Sequence, residues 1–195
     1  MEKYPKEVKL KTEEKVVLRL LTLDDLEPLI YFFQNLSSKD RMFLRSDVMQ
    51  KEYIYRRYGK MNYDVMFPLI ALSNGKIVAI GTLFRAEYGW MRHLGELRCV
   101  VSEDYKRKGL CTILIRELFL HALSTDLYKI QAEIMEDQAS AISAFKRMGF
   151  KTEAILNKHV TDINGKRRNL VIMSLDIQEL WYLMEDFTIG KTYVV

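Results

Sequence analysis

The chain has few of the residues that mark specialised protein classes. Two cysteines in 195 residues are too few for a disulfide scaffold, so we expect both to be reduced thiols in a cytoplasmic protein. Nine glycines and three prolines exclude a collagen-like or low-complexity chain. The first residues are polar and charged, which predicts no signal peptide. The most apolar window, residues 65–84, is interrupted by Asn74, Gly75 and Lys76, which predicts no membrane-spanning helix.

An excess of charge of one sign is also missing. Thirty Lys and Arg against 26 Asp and Glu leave a formal net charge of +4. That excess is too small to predict a nucleic-acid surface unless the cations gather on one face. Hydrophobic residues make up 49% of the chain and charged residues 29%, which indicates a folded chain and not a disordered one. The length predicts one domain with at most a small appendage.

The pattern of apolar residues predicts a mixed α/β sheet with helices on both faces. Runs rich in β-branched residues predict seven strands, at residues 16–21, 67–72, 77–85, 94–101, 129–135, 150–156 and 170–175. Apolar residues at helical spacing predict helices at residues 24–36, in one or two pieces across 40–62, and at 109–123, 138–148 and 178–186. The chain then divides into an N-terminal arm or edge segment (1–15), a core (16–176) and a C-terminal helix and tail (177–195).

Two local signals refine this reading. The Asn74-Gly75 dipeptide predicts a type I′ turn that joins two strands in a hairpin. The three histidines are scattered without metal-ligand spacing, so no metal site is predicted.

Residues 97–112 combine a strand, a basic turn with one glycine, and the start of a helix. This order suits phosphate, because the first N–H groups of a helix lack partners and lie at the positive end of its dipole. Gly109 lets an anion approach the backbone, and Lys106, Arg107 and Lys108 raise the local anion concentration. A solvated basic turn is the alternative. The segment lacks the Gly-Lys-Ser/Thr ending of a P-loop and two glycines of the dinucleotide fingerprint.

Two segments together resemble the GNAT superfamily of N-acetyltransferases. Residues 100–114 (VVSEDYKRKGLCTIL) are similar to the family's acetyl-CoA pyrophosphate loop, Gln/Arg-x-x-Gly-x-Gly/Ala, with Lys106, Gly109 and Cys111 at the signature positions. Lysine keeps a cation at the first position, and cysteine is still small at the third. Residues 138–150 (QASAISAFKRMGF) resemble the family's Asn-x-x-Ala-x-x-x-Tyr-x-x-x-Gly-Phe segment. The likeness covers residues 94–176 and extends in part to bacterial and archaeal protein-lysine acetyltransferases.

The resemblance implies a GNAT-like acyl-CoA N-acyltransferase fold. In that fold the central strands, here 94–101 and 129–135, splay apart and hold acetyl-CoA between them. Backbone groups on the first strand would bond the pantetheine, one N–H would polarise the thioester carbonyl, and amides of the loop would hold the pyrophosphate. The cofactor-binding residues implied by this likeness are Cys99, Val101, Arg107, Lys108, Gly109, Leu110, Cys111, Thr112, Gln138 and Phe145.

The resemblance also implies a catalytic base. An ammonium has no lone pair, and a lysine amine has a pKa of about 10.4, so an enzyme acting on lysine needs a proton acceptor. Glu96 is the predicted base, because it lies on the strand that would pass the thioester, where some protein-lysine acetyltransferases of the superfamily carry glutamate. Strand alternation puts Glu96 on the face of Arg98, so a surface ion pair between them is the alternative.

The general acid of many relatives is a tyrosine, and this chain has Phe145 in its place. Phenylalanine cannot donate a proton to the CoA thiolate, so Tyr105, Ser143 or water would have to do so.

Two functions therefore stand side by side. The first is transfer of the acetyl group of acetyl-CoA to a primary amine, which is a protein lysine, an N-terminus or a small molecule. The second is a non-catalytic acyl-CoA-binding or sensing module of the same fold. A third function, a nucleic-acid-binding domain that uses Lys106–Lys108 and the arginines of residues 41–57, is not expected, because no base-stacking platform or groove-reading helix is recognisable. A membrane is not an expected partner either, because no apolar run is long enough to span one. Trp181 and Tyr182 in the C-terminal segment suggest a surface that could pair two copies of the chain.

Overall fold

The computed structural model describes residues 4–177 as one eight-stranded sheet with helices on both faces. The strands are β1 (Lys6–Lys9), β2 (Lys15–Leu20), β3 (Met66–Ser73), β4 (Lys76–Arg85), β5 (Leu94–Val101), β6 (Lys129–Met135), β7 (Lys151–Thr161) and β8 (Arg167–Asp176). The helices are α1 (Leu26–Gln34), α2 (Ser38–Arg41), α3 (Lys51–Tyr58), α4 (Leu110–Ala122) and α5 (Ala139–Arg147), with 3₁₀ turns at Leu23–Asp25 and Glu103–Tyr105. The predicted mixed sheet is confirmed.

The sheet is split in its middle. The strand order is β1-β2-β3-β4-β5-β6-β8-β7, and β5–β6 is the parallel pair among antiparallel neighbours. Paired residues of β5 and β6 run only from Leu94–Lys129 to Glu96–Gln131, although β5 continues to Val101. Beyond Glu96 the two strands diverge and leave a cleft between them. The predicted splayed pair of central strands is therefore confirmed.

Local chemistry explains the hairpin that leads into the split. Asn74 and Gly75 both have positive φ, 49° and 74°, the left-handed dihedrals that a type I′ turn requires. The two strands that this turn joins, β3 and β4, consist almost wholly of buried residues, because helices cover both of their faces.

Two apolar layers sandwich the sheet. On one face, the side chains of α4 such as Leu110, Leu114 and Leu118 pack against the buried residues of the central strands. On the other face, Leu29 of α1 and Ile54 of α3 belong to a second cluster, which includes residues of β3 and β4. The central strands of the sheet are thus packed between apolar side chains on both faces.

Three predicted segments remain to be compared with the structure: the N-terminal arm, the helices of residues 40–62 and the C-terminal helix. The predicted N-terminal arm or edge segment contains a strand, β1, which pairs with β2 at the edge of the sheet. Across 40–62, where one or two helices were predicted, α3 lies wholly inside the region, whereas α2 begins earlier, at Ser38, and ends at Arg41; a loop at residues 42–50 separates them. The predicted helix at 178–186, with Trp181 and Tyr182, lies outside the described residues, and the division into arm, core and tail stays a prediction. In the part of the chain that is described, no helix has the length and apolarity to cross a membrane.

Candidate active site

The cleft exposes one backbone edge of β5. Directly after β5, the Ser102 N–H donates to the carbonyl of Val78 in strand β4 at 2.9 Å. Because alternate residues of an antiparallel strand bond to opposite sides, the N–H and C=O groups of Cys99 and Val101 point away from β4. They lie beyond the last paired residues of β5 and β6, and they therefore face the opening. An extended ligand could bond this edge as an added strand.

The loop after β5 leads into α4 through a left-handed residue. Gly109 precedes the helix with φ of 90°, and a Cβ at this position would come within 3.3 Å of the Lys11 side chain. The first helical bond runs from the Ile113 N–H to the Gly109 carbonyl at 3.1 Å. The amides of Leu110, Cys111 and Thr112 come before it, so they are the unpartnered donors of the helix start. Their position suits an anion.

The basic residues of this loop are partly neutralised. Lys106 forms ion pairs with Asp40 and, at 2.6 Å, with Glu103. Burial alone would lower the pKa of Lys106, but the hydrogen bonds to these two carboxylates outweigh burial and raise it. The Lys106 cation is therefore engaged within the protein.

The other two cations of the loop differ from each other. Lys108 binds Glu14 at 2.6 Å and lies 4.9 Å from the centre of the Tyr105 ring. Arg107 is exposed and has no carboxylate partner among residues 4–177. Of the three predicted cations, one is free of an acidic neighbour, so the backbone dipoles carry more of the attraction for an anion than the sequence suggested.

The N-terminal segment supports the same loop, a contact that the sequence analysis missed. The Lys11 N–H donates to the Lys108 carbonyl at 3.0 Å, and the Lys11 side chain covers Gly109. Leu10 beside it is buried. The N-terminal stretch is rich in lysine and has no sequence pattern that predicts this contact.

Glu96 lies at the fork of the cleft and accepts two guanidinium groups. Its Oε1 receives Nη1 of Arg45 at 2.5 Å and Nε of Arg98 at 2.8 Å. The predicted pairing with Arg98 is thus present in the structure, and Arg45 was not foreseen. The Nη2 of Arg45 also binds Glu133 of β6, so one guanidinium joins carboxylates on both sides of the cleft. Gln131 donates to Glu133 at 3.1 Å.

Aromatic and cationic groups line the neighbouring surface. The guanidinium carbons of Arg57 and Arg98 lie 4.2 and 4.9 Å from the centre of the Phe84 ring. Contacts of this kind are favourable because the ring face is electronegative. Burial lowers the pKa of Arg45, and the nearby Glu96 opposes that effect. The surroundings of Glu96 on this face thus include a second carboxylate, Glu133, and the guanidinium groups of Arg45, Arg57 and Arg98.

The two cysteines, predicted separately, lie next to each other. A hydrogen bond with Cys111 and burial together raise the pKa of the Cys99 thiol. The same contact lowers the pKa of Cys111 at the start of α4. Both are free thiols. The sequence could have indicated this contact, because Cys99 lies on β5 and Cys111 lies at the start of α4, on either side of one short loop.

Residues 138–150, the second segment that resembles the GNAT family, contain helix α5. The Gln138 carbonyl accepts the N–H groups of Ala141 and Ile142 in this helix, and the Gln138 side-chain amide forms no hydrogen bond within residues 4–177. Phe145 is 5% exposed and packs edge-to-face on Phe150 at 4.9 Å, so its ring is part of the core. Ser143, a candidate proton donor, accepts from Arg147 at 2.9 Å. The cofactor contacts of Gln138 and Phe145 stay predictions.

Comparison with known proteins agrees with this geometry. Residues 30–150 match the model of the Acetyltransferase (GNAT) family, and the chain belongs to that family. Spermidine N(1)-acetyltransferase of Escherichia coli (strain K12) is 27% identical over 113 residues, which are 57% of this chain and 59% of that protein. The chain thus spans less than two thirds of the length of this curated relative.

Solved structures share the fold. The GNAT domain of S. lividans PAT superposes with a TM-score of 0.74 at 17% identity, covering 88% of this chain and 96% of that one. The structure of yncA from Salmonella typhimurium, with its cofactor acetyl-CoA, superposes with a TM-score of 0.73 at 15% identity, covering 84% and 95%. At such identities the likeness shows the fold alone.

Proposed function

We propose that the protein transfers the acetyl group of acetyl-CoA to a primary amine. The observation that carries this proposal is the divergence of β5 from β6 beyond Glu96, beside a helix start that suits an anion. In a member of the GNAT family, this combination supports a thioester held between the strands and a pyrophosphate held at the loop.

The residues present fit acetyl-CoA. The cleft-facing backbone groups of Cys99 and Val101 would bond the pantetheine, and the Val101 N–H would polarise the carbonyl. The amides from Arg107 to Thr112 would hold the pyrophosphate at the start of α4, where Gly109 adopts the left-handed conformation that leads into the helix. Gln138 has a side-chain amide that no residue of 4–177 engages, and this amide would contact the pantetheine arm. When bound, acetyl-CoA supplies an acetyl group already activated as a thioester.

Glu96 is proposed as the proton acceptor. Both guanidinium groups bind its Oε1, and its Oε2 accepts no hydrogen bond from the described residues, which leaves this oxygen able to take up a proton. The overall change is R–NH₃⁺ + CH₃CO–S–CoA → R–NH–CO–CH₃ + HS–CoA + H⁺. Glu96 takes the proton whose removal creates the attacking lone pair.

Glu96→Gln tests this assignment. Glutamine keeps the shape but cannot take up the proton, so we expect acetyl-CoA to bind as in the wild type while turnover falls at least about 100-fold. Titration calorimetry measures binding, and release of free thiol over a panel of amines measures turnover. Glu52→Gln, an exposed carboxylate on α3, is the matched control and should retain full activity.

Three other outcomes would change the proposal. Unchanged turnover of Glu96→Gln between about pH 6 and pH 9 contradicts the base assignment. Acetyl-CoA binding without thiol release from any amine favours the non-catalytic acyl-CoA-binding module, which the buried, non-donating Phe145 permits. Failure to bind acetyl-CoA removes both functions.

A further inference from the structure

One guanidinium closes the cleft on the face that carries Glu96. Arg45 projects from the loop at residues 42–50, and its Nη1 and Nη2 bind Glu96 on β5 and Glu133 on β6. The exposed fractions of the side chains of Arg45, Glu96 and Glu133 are 32%, 30% and 25%, so the cluster is partly buried and still reached by solvent. These bonds span the fork where an acceptor amine would meet the proposed base.

The backbone that carries Arg45 is anchored on both sides of it. Before it, Asp40 of α2 pairs with Lys106 of the loop between β5 and α4 (residues 102–109), which is called the cofactor loop after its proposed role. After it, Val48 is buried in the cluster of α1 and α3. The hydrogen bonds of the Arg45 side chain go only to the two carboxylates in the described part of the chain. Rotation of this one side chain therefore frees the place between the two carboxylates without unfolding an element, while Glu96 keeps its bond to Arg98 and Glu133 its bond to Gln131.

An alkylammonium and a guanidinium present the same chemistry to this pair. Both are cations whose N–H groups donate to carboxylate oxygens. If the proposed function holds, the acceptor amine must reach Glu96 as an ammonium before it loses its proton. A cation that contacts Glu96 and Glu133 together, as the Arg45 guanidinium does, must take the place of that guanidinium between them.

We infer that Arg45 is a specificity-determining residue that competes with the acceptor: the acceptor is a cationic alkylamine that displaces the Arg45 guanidinium from Glu96 and Glu133. This inference rests on the proposed function. When an internal group occupies a site, the apparent dissociation constant of the ligand rises by the inverse of the fraction of time the site is open. Arg45 thus selects against neutral and anionic amines, which cannot replace its charge.

Arg45→Ala removes the competitor. The probe is 1,4-diaminobutane, titrated calorimetrically into protein saturated with CoA, which has no acetyl group to transfer. We expect the dissociation constant of the diamine to fall about tenfold, and its KM in the thiol-release assay to fall in parallel. The KM of acetyl-CoA should not change. Arg45→Lys retains a cation at the site and should remain close to the wild type.

Arg41→Ala is the matched control, because Arg41 lies in the same segment and binds Met49 and Ser38 instead of the two glutamates. It should leave the affinity for the diamine unchanged. Urea midpoints of all variants, measured alongside, establish that each is folded.

The inference is overturned if Arg45→Ala leaves the affinity for the diamine unchanged or weakens it, or if the diamine binds to no variant. Recovery of wild-type kcat by Arg45→Lys after a loss in Arg45→Ala would instead make Arg45 a positioning residue for Glu96. The two proposals fail separately. If Arg45→Ala binds the diamine about tenfold more tightly but no acetyl group is transferred, the inference about Arg45 stands and the proposed reaction is wrong. If acetyl transfer occurs without tighter diamine binding, the proposed reaction stands and the inference about Arg45 is wrong.

Discussion

At the scale of single residues, Asp25 joins the sheet to the helix layer on the Glu96 face. It is 6% exposed and accepts both terminal nitrogens of Arg19, at 2.5 and 2.7 Å, and the Thr22 N–H at 2.8 Å. Burial alone would raise the pKa of Asp25, but the hydrogen bonds from Arg19 and Thr22 outweigh it and place the pKa below its usual value. The ionised form of Asp25 therefore stabilises the folded state.

Asp25→Asn should lower the free energy of unfolding by roughly 1–3 kcal/mol at neutral pH, because Arg19 loses its charged partner. A carboxyl with a depressed pKa stabilises the fold above its unfolded pKa of about 3.9 and stops doing so as the pH falls through the folded value. The gap between the wild type and Asp25→Asn should accordingly be full at pH 7 and narrow below about pH 4. Urea unfolding at several pH values measures it. Asp24→Asn, an exposed neighbour, should show no gap, and a gap independent of pH would contradict the charge argument.

The residues of the fork divide into those that local pattern could predict and those that it could not. Strand alternation indicated that Glu96 and Arg98 share a face, and the structure pairs them. Arg45 lies 51 residues from Glu96 and 88 residues from Glu133, in a loop with no periodic pattern. Nothing in the local sequence says which of 26 acidic residues an arginine will meet.

At the scale of elements, the turn between β1 and β2 abuts the cofactor loop. Glu14 in this turn binds Lys108, and the hydrogen bond from Lys108 holds the pKa of Glu14 below its usual value. The turn therefore carries a carboxylate that would compete for Lys108 with a phosphate of the proposed cofactor.

Glu14→Gln should tighten the binding of CoA by roughly two- to fivefold at low salt, since Lys108 is released for the anion. The effect should shrink as ionic strength rises, because Glu14 is exposed and Lys108 is partly exposed to solvent. Calorimetric titration of CoA at two salt concentrations measures this change. Glu13→Gln, in the same turn but paired with Lys9, should match the wild type. Weaker CoA binding in Glu14→Gln would mean that Glu14 instead holds Lys108 in its productive place.

The split of the sheet is also a property of elements. β6 pairs along its whole length with β8, from Lys129–Asp176 to Met135–Leu170, whereas β5 pairs along nearly its whole length with β4. Each central strand thus follows its outer neighbour. Once the three registered pairs end at Glu96–Gln131, the two halves diverge and the cleft opens.

At the scale of the whole molecule, α4 ties the cofactor loop to the core. Leu114, fully buried on this helix, lies close to β4, where a Cβ on Gly81 would meet it at 3.4 Å. The helix start that suits an anion is therefore fixed by the largest apolar cluster of the described chain.

Leu114→Ala should lower the free energy of unfolding by about 2–5 kcal/mol, the range for a leucine truncated inside a packed core. Because the surface exposed on unfolding changes little, the urea midpoint should fall while the slope of the transition stays constant. Ile163→Ala, at an exposed turn position, is the control and should change stability by less than about 0.5 kcal/mol. A loss of similar size in both variants would contradict the packing described for α4.

The sequence by itself determined the features that depend on neighbouring residues. Leu94–Val101 and Lys129–Met135 are strands with the predicted bounds, because short apolar runs between turn signals specify them. Asn74-Gly75 makes the hairpin turn because both positions tolerate positive φ. The sequence also predicted the helix that follows Gly109 and the resemblance of residues 100–114 to the pyrophosphate loop of the GNAT family.

Only the tertiary structure decided which distant groups meet. Arg45 with Glu96 and Glu133, Lys11 with the cofactor loop, and the two adjacent thiols all join residues from separate elements. Charged side chains are long and chemically equivalent along the chain, so their partners follow from the path of the backbone and not from spacing. The cleft has the same origin: each strand is specified locally, while its divergence from its neighbour results from pairing on the opposite edge.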